Sequence, residues 1–219
     1  MALTTYAELK SSIADFLDRD DLTNVITDFI TLAEADMSRN LRHWRMEKRS
    51  TAILDTQYTQ LPSDFYEPIR MAITSGDTYT LELSNLQNLS DQRQRTANTS
   101  GRPQLYAITD GSINVWPVPD GEYTVEMIYY SKIIPLSDAN TSNWVLQYYP
   151  DAYLYGALMH SAPYLAEDPR VTVWAQLYGA AVQRLNQESD NSKYSGTGLA
   201  TRIRGLDTSG SSAVRRINA

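Results

Sequence analysis

The 219-residue chain has no cysteine. That excludes a disulfide framework, a thiolate metal site and a cysteine nucleophile. It has two histidines, His43 and His160, and neither has a local His or Cys partner at metal-ligand spacing. Both read as structural. No apolar run approaches the ~18 residues that span a membrane. The N-terminus lacks a basic-then-apolar secretory pattern. The sequons at Asn88, Asn98 and Asn140 therefore read as coincidental, and the chain is expected to be made in a reducing cytoplasm. No Gly-x-Ser-x-Gly elbow is present. Asp18, Asp20 and Asp21 resemble half a calcium loop without its central glycine and closing glutamate. Gly196-Thr197-Gly198 begins like a dinucleotide fingerprint, but it follows a helix and lacks the third glycine.

What is present is an ordinary globular composition, 42% hydrophobic and 21% charged, on a chain long enough to bury a real core. Net charge is −7 and unevenly spread: residues 193–219 carry +4, which leaves −11 on residues 1–192. An acidic body argues against general nucleic-acid binding. The last segment is rich in Gly, Ser and Thr and reads as a flexible basic tail.

Helical spacing opens the chain. Tyr6, Leu9, Ile13, Phe16 and Leu17 share a face, and Thr5 with Glu8 is a capping-box pattern. Val25, Phe29, Ala33, Met37 and Leu41 form a second stripe from about 22 to 44. The period then changes. Runs rich in Thr, Tyr, Ile and Val predict strands at 47–54, 57–61, 68–74, 78–83, 104–109, 112–117 and 122–132. Asp110-Gly111 is a two-residue hairpin signal. A short helix is expected after Ser84. Helical spacing returns after Pro150, and Asp168-Pro169 starts a last helix running to about Ser189. The expected fold is α+β: a four-helix bundle made from N- and C-terminal helical hairpins, an inserted β-rich module and a flexible C-terminal tail. Its parts divide at 1–44, 45–135, 136–192 and 193–219.

The stretch 143–155 holds five aromatics. Stacking on nucleic acid would need interleaved Lys and Arg, yet residues 137–163 contain none. Trp144, Tyr149, Tyr153 and Tyr155 therefore read as packing aromatics, in the bundle or at a subunit interface.

Several stretches carry a family likeness. They are Thr5-Tyr6-Ala7-Glu8-Leu9-Lys10; Phe29-Ile30-Thr31-Leu32-Ala33-Glu34-Ala35 with Arg39-Asn40-Leu41-Arg42; and Leu61-Pro62-Ser63-Asp64-Phe65. Further on come Gly101-Arg102-Pro103, Pro117-Val118-Pro119-Asp120-Gly121, and Ile134-Pro135-Leu136-Ser137-Asp138-Ala139-Asn140 with Pro150-Asp151-Ala152-Tyr153-Leu154-Tyr155-Gly156. In order, they resemble the head-to-tail adaptor (connector) proteins of tailed bacteriophages, of the podovirus type. The resemblance implies a structural virion protein without enzymatic activity or cofactor. It implies a twelve-fold ring of this chain below the portal protein, extending a DNA channel and giving tail or nozzle proteins a platform. It also implies a C-terminal segment that reaches the portal. In that segment Arg202, Arg204, Arg215 and Arg216 would be charge contacts, and Leu199, Ile203, Leu206, Val214 and Ile217 apolar anchors. Two other readings stand beside it: a virion hydrolase using a carboxylate pair, and a receptor- or carbohydrate-binding β module.

Overall fold

Thr5 starts the first helix by accepting from the Glu8 backbone N–H at 3.3 Å, while the Glu8 carboxylate accepts from Thr5 N at 3.0 Å. This reciprocal cap satisfies end donors that helix α1 (Tyr6–Leu17) cannot pair internally. Thr4 also donates to that carboxylate through its backbone N–H and its hydroxyl, and these donors, ahead of those of Thr5, hold the Glu8 carboxyl down at about 2. A computed structural model describes residues 3–22, 24–96, 100–165 and 168–194. Six α-helices and seven strands lie in these residues.

Helix α2 (Ile26–Asn40) buries Ile26, Phe29, Ile30, Ala33, Glu34 and Met37. It stops short of 44 because helix α6 (Arg170–Tyr194) takes over the backbone beyond it. Asn186 Oδ1 accepts from Arg42 N at 3.0 Å, Asn186 Nδ2 donates to Asn40 O, and Ser189 Oγ accepts from Trp44 N at 2.9 Å. On α6 the buried stripe is Trp174, Tyr178, Ala181, Leu185 and Ser189. Val173 is exposed.

Between α2 and the later helices runs a single sheet of order β1-β7-β3-β4-β5-β6-β2. Its strands are β1 (Glu47–Leu54), β2 (Tyr58–Gln60), β3 (Phe65–Ile73), β4 (Tyr79–Leu83), β5 (Leu105–Thr109), β6 (Ser112–Trp116) and β7 (Tyr123–Ser131). All pairs are antiparallel except β4–β5. A parallel pair needs a crossover, and helix α3 (Leu86–Arg95) lies within it. Leu89 of α3 is fully buried, and Arg93 Nη2 donates to Asn114 Oδ1 at 2.6 Å. Asp110 and Gly111 both have positive φ, 48° and 68°, as the tight β5–β6 turn requires. Leu54, Met71, Leu81, Tyr106, Val115 and Val125 from successive strands meet in one core, so the sheet curls into a nearly closed barrel.

The second core is helical, and helix α5 (Pro150–His160) runs through its middle. Ala152, Tyr153, Leu154, Gly156, Ala157 and Leu158 are all buried. They point around the helix rather than along one stripe, and α1, α2, α6 and the short α4 (Trp144–Tyr148) pack against it. The expected four-helix bundle with an inserted β-rich module is therefore overturned. In a bundle each helix carries one apolar stripe; here one helix is enclosed and its neighbours surround it. Pro150 opens α5, where helical spacing was expected to return, while α4 forms just before it in a stretch with no expected helix. The β region is a seven-stranded barrel with its own core.

Gly156 marks the tightest point. A Cβ there would lie 3.1 Å from Ala33 Cβ and from the Tyr178 ring. Gly156→Val is expected to lower stability by about 2 kcal/mol through overpacking. Gly179 is also inside a helix, but a Cβ there meets nothing within 4 Å, so Gly179→Ala is expected to stabilise by about 0.5–1 kcal/mol. Thermal melts of the two variants would move in opposite directions.

Candidate interaction site

The chain returns from the barrel to the helices through residues 132–143, and a polar network in the helical core fixes that return. Glu34 lies on the apolar stripe of α2 and is 8% exposed. Its Oε1 accepts from Leu136 N at 2.7 Å and from the Tyr153 hydroxyl at 3.0 Å. Asn143 Nδ2 lies 2.5 Å from the Tyr153 hydroxyl and 2.9 Å from Ile134 O. Asn143 Oδ1 accepts from Leu146 N at 3.0 Å, which caps α4. Burial raises the Glu34 carboxyl above its ordinary value, against the pull of its two donors. Burial, then the Glu34 charge, pushes the Tyr153 phenol up far beyond its ordinary value.

A second cluster lies where the α2 exit meets α4. His43 is fully buried, and its Nδ1 accepts from Arg45 N at 3.2 Å. That bond assigns the neutral ring's proton to Nε2. The ring stacks on Trp144 with centroids 5.0 Å apart and meets Tyr149 edge-on at 5.9 Å. Burial lowers the imidazole below its usual range, so it is neutral near pH 7. The Tyr149 hydroxyl donates to Glu188 at 2.8 Å; burial first, and that carboxylate second, push the phenol up to about 12. Outward from this cage the Arg45 guanidinium lies 4.6 Å from the Trp44 ring and 4.2 Å from the Tyr148 ring. Trp44 is 40% exposed and Tyr148 51% exposed. A cation held between two exposed aromatics is the composition of a protein-binding surface.

The four aromatics singled out in the sequence thus occupy different places. Tyr153 is fully buried, while Trp144, Tyr149 and Tyr155 are half-buried against the helical core. Trp144 and Tyr149 come together around His43; Tyr153 belongs to the Glu34 network instead. The nine tail residues Leu199, Arg202, Ile203, Arg204, Leu206, Val214, Arg215, Arg216 and Ile217 lie outside the described residues. Reading the sequence missed Glu34, although a carboxylate between Ala33 and Met37 on a buried stripe was a visible signal. It also missed Trp44 and Arg45, whose pairing with Tyr148 depends on a contact about one hundred residues away in sequence. Among the described residues no group of three or more His, Asp or Glu could hold a metal ion.

The model of the SU10 adaptor protein family matches residues 4–202. The chain belongs to that family. It is a phage head-to-tail adaptor family, and the match spans both the barrel and the helical layer. Membership marks this SU10-family adaptor as a structural phage protein. No curated protein matches the chain at a significant level.

The Glu34 network gives this adaptor a pH signature. A carboxyl raised by burial binds its proton more tightly folded than unfolded. Its stabilising protonated form is therefore fully present below the unfolded value of 4.5 and is lost as pH rises through the folded value. Glu34→Gln keeps the Oε1 acceptor without the charge. It is expected to be as stable as wild type at pH 4 and more stable at pH 7. Glu34→Ala takes the acceptor from Leu136 N–H and from the Tyr153 O–H and is expected to cost about 2–3 kcal/mol. Denaturant unfolding at the two pH values measures both.

Proposed function

We propose that this chain forms a ring below the portal protein of a tailed phage, extends the DNA channel, and gives tail or nozzle proteins their attachment platform. The family match across residues 4–202 carries this reading. The charge distribution supports it. A body of −11 over residues 1–192 repels phosphate, so DNA slides past without adhering. The basic segment beyond Tyr194 supplies the portal contact, its arginines meeting an acidic partner surface. A twelve-fold ring is closed and heterologous, so each subunit offers two different side faces. The exposed Trp44–Arg45–Tyr148 surface is one such face, braced from behind by Trp144 and Tyr149.

Purified protein mixed with portal rings and imaged by electron microscopy tests the proposal. The expected result is a twelve-fold ring stacked on the portal; a strict monomer that never binds portal would refute it. The subunit face has its own test. Trp44→Ala with Tyr148→Ala is expected to weaken ring formation at least about tenfold, as loss of aromatic anchors does at other interfaces. The melting temperature should change little, because both side chains are substantially exposed. Native mass spectrometry reads the oligomer population.

A further inference from the structure

We propose that the groove between helix α2 and the returning segment 132–136 receives Arg184 of a second copy of this chain, which pairs with Glu34. The contact rests on the ring reading above and supplies the second of its two side faces. Both donors of Glu34 reach Oε1, and Oε2 takes none among the described residues. Burial and those two donors alone act on its ionisation, so no cation stands beside it. A buried charge without a counter-charge is costly, and a cation brought to Oε2 offsets that cost. Glu34 lines a groove of about 350 Å³, with Thr31, Ala35 and Ser38 of α2 on one side and Lys132, Ile133 and Pro135 on the other. Ile134, beside it, is 60% exposed. A carboxylate oxygen within a partly apolar rim suits a guanidinium carried on a long aliphatic stem.

The chain's own cations select the occupant. Arg45, Arg93, Arg95, Lys132 and Arg184 have no carboxylate partner among the described residues. Arg45 lies between Trp44 and Tyr148, and Arg93 donates to Asn114 Oδ1 and Val115 O. Lys132 belongs to the groove itself. Arg95 ends α3 on the barrel. Arg184 is exposed on α6, in the helical layer, and donates only to Ala180 O of its own helix, at 3.3 Å. Val173, Leu177 and Ala180 precede it at helical spacing, and Val173 is 52% exposed. An uncovered apolar stripe thus leads to the guanidinium, and Ile134 and Pro135 offer apolar area for it to meet. The placement also suits a closed ring. Asp36 and Asn40 of α2 face α6 through Tyr178 and Asn186, while Thr31, Ala35 and Ser38 lie on the opposite flank of α2. Groove and Arg184 therefore lie on different sides of the helical layer, as a heterologous contact requires. Glu188, one turn beyond Arg184, bonds Tyr149 behind the Trp44–Arg45–Tyr148 surface, so Arg184 continues that face.

A double-mutant cycle on the full-length protein, read as ring population on portal by native mass spectrometry, tests the contact. Arg184→Ala should weaken ring formation at least about tenfold, as truncating one partner of a buried charge pair does. Glu34→Gln, which sets an amide nitrogen toward the arginine, should do the same. Its folded subunit is no less stable, so a lost ring cannot be blamed on unfolding. The double variant should be no weaker than the weaker single one, because the two side chains touch only across copies. Additive effects, or Arg184→Ala rings as populated as those of wild type, would overturn the contact and leave the ring reading standing. A wild-type chain that forms no ring on portal would overturn both. Coupling of Glu34→Gln to Lys132→Ala instead of Arg184→Ala would place the cation within one copy and overturn the contact as well.

Discussion

One buried carboxylate determines how the two halves of this molecule meet. Glu34 accepts from Leu136 N and the Tyr153 hydroxyl. It thereby ties helix α2, the strand-to-helix return and the enclosed helix α5 at one oxygen. A buried charge is tolerated only when its lone pairs are filled, so the geometry of all three elements follows from satisfying it. Asn143 extends the constraint by lying against the same hydroxyl while capping α4. From α6, Asn186 and Ser189 fix the backbone of residues 40–44 in a similar way. The helical layer thus holds both chain segments that enter and leave the barrel.

Much of the local structure was legible in the residues. All seven strands fall on alternating runs, and the Thr5–Glu8 cap and Asp110-Gly111 turn form as their chemistry requires. These features are set by neighbours a few residues apart. The assembly was not legible. Helical spacing identifies a buried face but cannot show that Leu154 is buried on the side of the helix opposite Ala152 and Gly156. Nor can alternation show that a sheet curls until its ends approach. Of the site, the packing role of the 143–155 aromatics could be read from the missing basic residues. Their separation into a Glu34 network and a His43 cage could not, because it depends on which distant groups arrive beside them.

The division of labour is electrostatic as well as architectural. Most charged side chains of the body that pair do so at the surface, as Arg70 and Arg49 do with Glu126. Such pairs contribute little to stability. They hold the barrel's outer face close to neutral in places while the body as a whole stays acidic. The exposed aromatic surface at Trp44 and Tyr148 has its own cation, Arg45. A surface in which charge and aromatic area are already paired can meet a partner without burying an uncompensated charge.

The β1–β7 ladder pairs Glu47 with Tyr130 and Leu54 with Tyr123, so the barrel's first strand must wait for its last. Helices α1 and α2 wait longer, since the core they cover is completed by α5 and α6. At a synthesis rate of ~5–20 residues per second, the N-terminal helices stand without their partners for on the order of ten seconds. Their apolar stripes are exposed in the crowded cell for that time. Folding of the helical layer is therefore completed only as α6 emerges.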